Sequence, residues 1–512
     1  MKRISSFLLE QINYIFLFLT MLTFWGAIRS SNFNLEGISS KFVVLLSLFV
    51  LTAMIIFFHS TMKDRSIRLI NIFFDFFKRN SLLITIIIFV LMVISQVFIL
   101  VNVTTPIGWD VGAIVSGVRN PQIMNDYLSY YPNNQLYYFL MYLYNEVIST
   151  LLPELNGHWL IFQMLNIAFI DTAAVVLYKA AKEMVGKKGA YVTLYLYMFL
   201  FMLSPWIMVP YTDQISLWLT CIVLYLYSNL KNITGAIFYL AILMIGIFAG
   251  VSFLIKPSSI IYIVAWSIVM SLKMIVESRF SFQSIIIVIL ISISFYLPFA
   301  GFNQFMKNQE IVKIDSSKAM PWTHFVMMGL SGSGGYSSTD VERDMRIVDP
   351  DLRKKSNIEV IEQRLSEHRI SGYVKFLIQK HFNNTDRGDF GWGRDGTPQN
   401  PEENSKNSVQ SFLRDMYYQQ GKKTNVVRFS MQIVWIVIII GLIYSFKSEK
   451  NDYVLYCMKL TIIGAFLYLL LFEGGRSRYL IQYLPFFLIV SSIGLAKCLD
   501  FFRELKHPQT KE

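Results

Sequence analysis

Asn134-Gln135-Leu136-Tyr137-Tyr138-Phe139-Leu140-Met141-Tyr142-Leu143-Tyr144-Asn145-Glu146-Val147-Ile148-Ser149-Thr150-Leu151-Leu152 is apolar enough to pass for a membrane span, and whether it crosses sets the topology of everything after it. Twelve other runs are long enough to cross about 30 Å of hydrocarbon: 12–30, 41–59, 81–103, 158–178, 189–208, 211–230, 234–254, 257–276, 283–301, 429–447, 453–471 and 479–499. Lysine and arginine gather in the short cytoplasmic loops of such proteins. With the N-terminus inside, the loop 59–80 is inside and carries Lys63, Arg65, Arg68, Lys78 and Arg79. If residues 134–152 crossed, Lys179, Lys182, Lys187 and Lys188 would lie outside, against the rule. If they do not, that cluster is inside, and so are Lys231, Lys273 with Arg279, Lys447 with Lys450, and the tail with Lys497, Arg503 and Lys506. Residues 137–152 therefore read as a juxtamembrane helix on the outer face. Pro132 before it, Pro153 after it and the polar Asn145-Glu146 suit that placement.

Composition agrees with a membrane protein. Of 512 residues 54% are hydrophobic and only 16% charged, whereas about a quarter of a soluble domain is charged. The expected fold is an all-α polytopic membrane protein of about twelve transmembrane helices, with outer-face juxtamembrane helices and a mixed extracytoplasmic loop region. The net charge of +12 falls largely in short loops between spans, so it reports orientation and calls for no nucleic-acid partner. Cys221, Cys457 and Cys498 all lie in apolar runs, and the six histidines lack ligand spacing. Neither a disulfide framework nor a zinc site is indicated. Met1-Lys2-Arg3 precedes a long apolar stretch without a small-residue cleavage pattern, which reads as a retained first helix. Both termini are then expected in the cytoplasm, with the chain multi-pass in the plasma membrane.

Three regions follow: a transmembrane module over 1–301 with its first outer loop at 104–157, an extracytoplasmic cap over 302–428, and C-terminal helices with a cytoplasmic tail over 429–512. The middle region is too long for a connector. It holds an amphipathic helix at 358–381, a turn-rich stretch at 386–398, and Ser331-Gly332-Ser333-Gly334-Gly335, a flexible linker by composition that lacks the Walker lysine.

The polar residues that look out of place converge on the outer face. Asp110, in Thr105-Pro106-Ile107-Gly108-Trp109-Asp110-Val111-Gly112, follows the run 81–103 where the chain leaves lipid. Alone it could merely mark a helix end. Asp213 could be an ordinary acid at a helix N-terminus, or a functional one, since acids at the membrane boundary are costly. Lys256, before Pro257, could snorkel to headgroups or bind a lipid-linked phosphate. Arg476 and Arg478, in Glu473-Gly474-Gly475-Arg476-Ser477-Arg478-Tyr479, stand outside against the orientation bias, and phosphate binding is a physical reason to keep them there. His324 is either a satisfied buried histidine or a second phosphate contact.

These residues together resemble the GT-C superfamily of membrane glycosyltransferases, which includes protein O-mannosyltransferases and the lipid A aminoarabinose transferase. Its members carry a catalytic acid in the first large outer loop, followed by a juxtamembrane helix that often opens Pro-Pro-Leu-Tyr-Tyr. Gly108-Trp109-Asp110 takes the acid position here, and Tyr131-Pro132-Asn133-Asn134-Gln135-Leu136-Tyr137-Tyr138 the helix position; Arg478-Tyr479-Leu480 is similar to the family's opening of the last span. The likeness covers the first 260 residues and the last 40, with Asn133 where the second proline stands and no Asp-X-Asp motif, so a divalent metal has no motif behind it. The resemblance implies transfer of a sugar from a polyprenyl-phosphate donor to an extracytoplasmic acceptor, a cell-wall polymer, glycolipid or glycan. Asp110 would be the general base. Trp109, Tyr131, Asn134, Asp213 and His324 would contact substrate, and Lys256, Arg476 and Arg478 the donor phosphate. A polymerase or ligase of lipid-linked glycans would instead centre on His324 and Arg476 and leave Asp110 dispensable. A transporter or flippase would want charges at mid-membrane or broken helices in matching halves, and the spans offer only the isolated Asp171 and Lys459.

Overall fold

In the bilayer core the backbone must satisfy its own hydrogen bonds, so the apolar runs have helices as their available form. The computed structural model describes residues 2–33, 79–278, 281–392, 398, 405–446 and 452–506. The expected span at 41–59 and most of the loop 59–80 lie outside the described residues. The helices are α1 (Lys2–Ile28), α2 (Ser81–Val103), α3 (Trp109–Gly117), α4 (Met124–Tyr130), α5 (Gln135–Leu151), α6 (Trp159–Tyr197), α7 (Thr212–Asn229), α8 (Gly235–Ile255), α9 (Ile260–Glu277), α10 (Phe282–Asn308), α11 (Trp322–Met328), α12 (Ser338–Arg346), α13 (Pro350–Thr385), α14 (Ser408–Tyr417), α15 (Thr424–Tyr444), α16 (Tyr453–Leu471) and α17 (Leu484–Lys506). Ile107 and Pro398 form an isolated β bridge. The expected mixed loop region is itself helical, formed by α11 to α14.

Nine stretches among the described residues are long and apolar enough to cross a membrane. Two differences separate them from the eleven expected there. Runs 158–178 and 189–208 merge into one helical stretch broken at Gly186, whose φ of 76° reverses the chain without a loop. The two arms then lie antiparallel, with Tyr178 against Tyr191 and Tyr197 Oη donating to the Ile170 carbonyl at 2.9 Å. The second difference is α7, which opens on the polar Thr212-Asp213-Gln214 and is buried along most of its length. The last helix begins at Leu484, later than expected, after a 3-10 turn over Ser477–Tyr483.

Helix α5 does not cross. The chain leaves α2 at Thr104 and enters α6 at Trp159, and Thr104 Oγ1 donates to Gln163 Oε1 at 3.0 Å. Exit and return are therefore at one level, and residues 105–158 stay at that end of the bundle. Tyr137, Tyr138, Phe139, Met141 and Asn145 face inward while Leu143, Val147 and Leu151 are exposed, the pattern of a helix lying on a surface.

Close backbone approach draws the spans together, as small residues allow in membranes. A Cβ on Gly494 of α17 would sit 1.7 Å from the Gly441 carbonyl of α15. Helix α10 packs on α8 where Gly246 and Gly250 admit Ser294 and Pro298, and most of its remaining surface is open. Polar residues within the spans find local partners: Gln96 Nε2 donates to Asp171 Oδ1 at 3.0 Å, and Lys459 Nζ donates to Asn13 Oδ1 at 2.7 Å. Neither charge stands alone.

The cap is tied down, and its Gly-Ser run is no flexible linker. The Gly474 N–H donates to the Gly334 carbonyl at 2.8 Å, and a Cβ on Gly335 would meet the Gly474 carbonyl at 2.9 Å. Buried Lys380 donates to the carbonyls of Gly329 (2.6 Å), Leu470 (3.0 Å) and Phe472 (2.8 Å). The expected helix at 358–381 is the middle of α13, broken at Arg369 (φ 52°). Its second half docks on α1, where His381 Nε2 lies 2.9 Å from Thr23 Oγ1.

Candidate functional site

Gly108 caps α3 and Trp109 takes the left-handed conformation, φ 63°, which strains a bulky residue by about 1–3 kcal/mol. Asp110 then stands in the first turn of α3, half-buried. Its Oδ2 accepts from Tyr211 Oη at 2.9 Å, and the Tyr127 hydroxyl lies near enough to feel its charge. Behind Tyr127, Asn134 Nδ2 donates to the Tyr127 hydroxyl oxygen at 2.7 Å, and the Tyr131 ring packs at 5.3 Å. Burial, and then the charge of Asp110, hold the hydroxyls of Tyr127 and Tyr131 above the ordinary tyrosine range. They stay protonated beside the carboxylate.

Next to this carboxylate is a cluster of cations. Asp213, fully buried in the first turn of α7, forms an ion pair with Lys256, and its Oδ2 is 3.5 Å from Arg478 Nε. Lys256 caps the C-terminus of α8 and lies 5.2 Å from the Tyr479 ring. The Arg478 guanidinium covers the rings of Tyr211 (5.4 Å) and Tyr479 (5.0 Å), and that of Arg476 is 5.8 Å from the Trp109 ring. Tyr211 links the halves: its hydroxyl serves Asp110 and its ring face serves Arg478. Glu473 accepts from Tyr479 Oη at 3.2 Å; burial pushes its carboxyl up, while Arg476 and Arg478 pull it back. Gly475 (φ 70°) makes the turn that sets Arg476 and Arg478 in place, its N–H donating to Asn384 Oδ1 at 2.5 Å.

Residues 4–499 match a family described as conserved hypothetical integral membrane protein. The chain belongs to that family. No curated protein and no solved structure matches it. The family match takes in every segment of this site, from Trp109 to Tyr479.

In this integral membrane protein Asp110, Trp109, Tyr131, Asp213, Lys256, Arg476 and Arg478 come together at one end of the bundle. Asn134 sits one layer back, reaching Asp110 through Tyr127. His324 goes elsewhere. Fully buried in α11, its Nδ1 lies 2.7 Å from Asp344 Oδ2, which also accepts from Asn357 Nδ2 at 2.8 Å. That network holds α11, α12 and α13 together within the cap. Sequence reasoning missed the roles of Tyr127, Tyr211, Tyr479 and Glu473. Glu473 could have been found, since it sits three residues before Arg476 in the same glycine turn. The tyrosines carried no such signal, being three of 28 in the chain. Among the described residues no group of three or more His, Cys, Asp or Glu side chains could hold a metal ion.

Proposed function

We propose that this chain is a membrane glycosyltransferase, moving a sugar from a polyprenyl-phosphate donor to an extracytoplasmic cell-wall polymer, glycolipid or other glycan. The site would face outward at the plasma membrane, with both termini in the cytoplasm. The observation that carries this reading is the juxtaposition of a half-buried carboxylate, held by the Tyr211 hydroxyl, with three cations in one site. Sugar transfer to a hydroxyl requires both parts.

In the reaction the anomeric carbon–phosphate oxygen bond breaks as the acceptor oxygen bonds to that carbon, the hydroxyl proton passes to Asp110, and polyprenyl phosphate departs. Tyr211 orients the carboxylate and keeps one lone pair turned to the acceptor. Arg476, Arg478 and Lys256 take up the charge that grows on the phosphate oxygens, donating hydrogen bonds that strengthen as the bond breaks. Without donor, Asp213 balances Lys256 and Arg478; a bound phosphate shares both. The competing reading as a polymerase or ligase joins His324 to Arg476, and the Asp344 partnership of His324 argues against that union.

The test is Asp110→Asn in a deletion strain, read by analysis of envelope lipids and glycans. Transfer should fall by about 10²–10⁴-fold, the worth of a general base, with normal membrane levels of protein. Near-normal glycan from that variant would sink the mechanism. Orientation is tested separately. A cysteine replacing Ser149, at the C-terminal end of α5, should react with an impermeant reagent applied outside, and protection from it would reverse the assigned topology.

A further inference from the structure

The residue beside the proposed base is the most expensive choice for its backbone. At φ 63° a glycine fits without cost and an asparagine nearly so, whereas a bulky aromatic is a steric outlier. The conformation is locked from both sides. Val111 is buried, Asp110 is bonded to Tyr211, and the Gly112 N–H returns to the Gly108 carbonyl at 3.3 Å. Phe390 also has a left-handed backbone (φ 55°), but it is fully buried among Phe201 and Trp435, so its ring repays the strain in packing. Trp109 does not: it is 50% exposed, whereas Trp206, Trp392 and Trp435 are fully buried. An exposed tryptophan needs no such backbone, as Trp25 in the regular helix α1 shows at 54% exposure.

We propose that Trp109 is a carbohydrate platform, its left-handed backbone holding the exposed indole beside Asp110 so that a pyranose ring stacks on it. This deepens the glycosyltransferase reading and rests on it. The indole's π face attracts the slightly positive C–H groups on the apolar face of a pyranose. The Arg476 guanidinium, 5.8 Å from the same ring, adds donors that can bond the sugar hydroxyls. A ring laid on Trp109 has its hydroxyls next to Asp110, so the platform selects cyclic sugars over open-chain polyols of equal polarity.

Two comparisons test the platform. Trp109→Gly and Trp109→Ala both remove the indole, but only alanine keeps a Cβ in the left-handed conformation. The glycine variant should melt about 1–2 °C above the alanine variant. Both should lose transfer by about tenfold or more, while Trp109→Phe, which keeps an aromatic face, retains a third or more of it. Full transfer by the glycine variant overturns the platform while leaving the Asp110 mechanism intact; full transfer by Asp110→Asn overturns the mechanism itself. The second comparison uses fluorotryptophan-labelled full-length protein, with the Trp109 fluorine resonance identified by its loss in Trp109→Phe. Methyl β-glucopyranoside or methyl β-galactopyranoside should shift that resonance and mannitol should not. No shift with either pyranoside, or an equal shift with mannitol, overturns the proposal.

Discussion

The two ends of the helical bundle use charge in opposite ways. At one end Lys179, Lys182, Lys187, Lys188 and Lys231 stand exposed around the Gly186 turn and the α7–α8 connection. At the other, Asp213 is fully buried, Arg478 is 8% exposed, and each cation of the site lies against a carboxylate or an aromatic face. The first arrangement is inexpensive and informs only about orientation, since solvated lysines contribute little to stability. The second costs desolvation and persists only if every member finds a partner. Charge that is costly to bury yet retained points to a task.

Removing Asp213 should break this contrast most severely. Asp213→Ala leaves Lys256 and Arg478 without their shared buried carboxylate, and should destabilise the protein by about 3–5 kcal/mol. Lys188→Ala at the opposite end should stay within about 0.5 kcal/mol. Thermal unfolding of the purified variants measures both, and equal effects would erase the distinction between the two ends.

A smaller loss is expected at Arg478. Arg478→Gln keeps length and polarity but removes the charge proposed to hold the donor phosphate, a contact that would be worth about 1.5–3 kcal/mol. The donor concentration for half-maximal transfer should rise about tenfold or more, with less change in the rate at saturation. An unchanged concentration dependence would remove Arg478 from the phosphate site.

The smallest effect concerns Glu473. Burial raises its carboxyl above the ordinary 4.5, so the folded protein holds this proton where the unfolded chain has lost it. The stability this contributes is present at low pH and fades as pH climbs from 4.5 through the raised value. Glu473→Gln should flatten that part of the stability–pH curve, as followed by melting temperature. An identical slope in both proteins would place the pH dependence elsewhere.

The sequence made the membrane class legible, because apolar runs must become helices in lipid. It also placed α5 on the surface, because counting lysines across two topologies leaves one consistent answer. The reversal between runs 158–178 and 189–208 was legible in the lysines that separate them; only its tightness, at the single residue Gly186, left no signal. Arg476 and Arg478 were visible as basic residues against the orientation rule, and Asp110 and Lys256 as charges at the ends of apolar runs; the structure gathers all four at one end of the bundle. Of the two readings of His324 the structure shows the buried histidine; its partner, Asp344, arrives through the packing of α12 on α11, which no local pattern announces. Ser331 to Gly335 misled. Glycines that look flexible in composition are there so that two backbones can touch.

The Asp213–Lys256–Arg478 arrangement also carries a consequence for biosynthesis. Asp213 and Lys256 lie on consecutive helices, whereas Arg478 belongs to the last turn before α17. As the chain is made from its N-terminus, Asp213 meets its lysine early and waits through the whole cap for its arginine. The early pair lets a half-built protein rest in the membrane with that acid already neutralised, and the site is completed only when the final helix arrives.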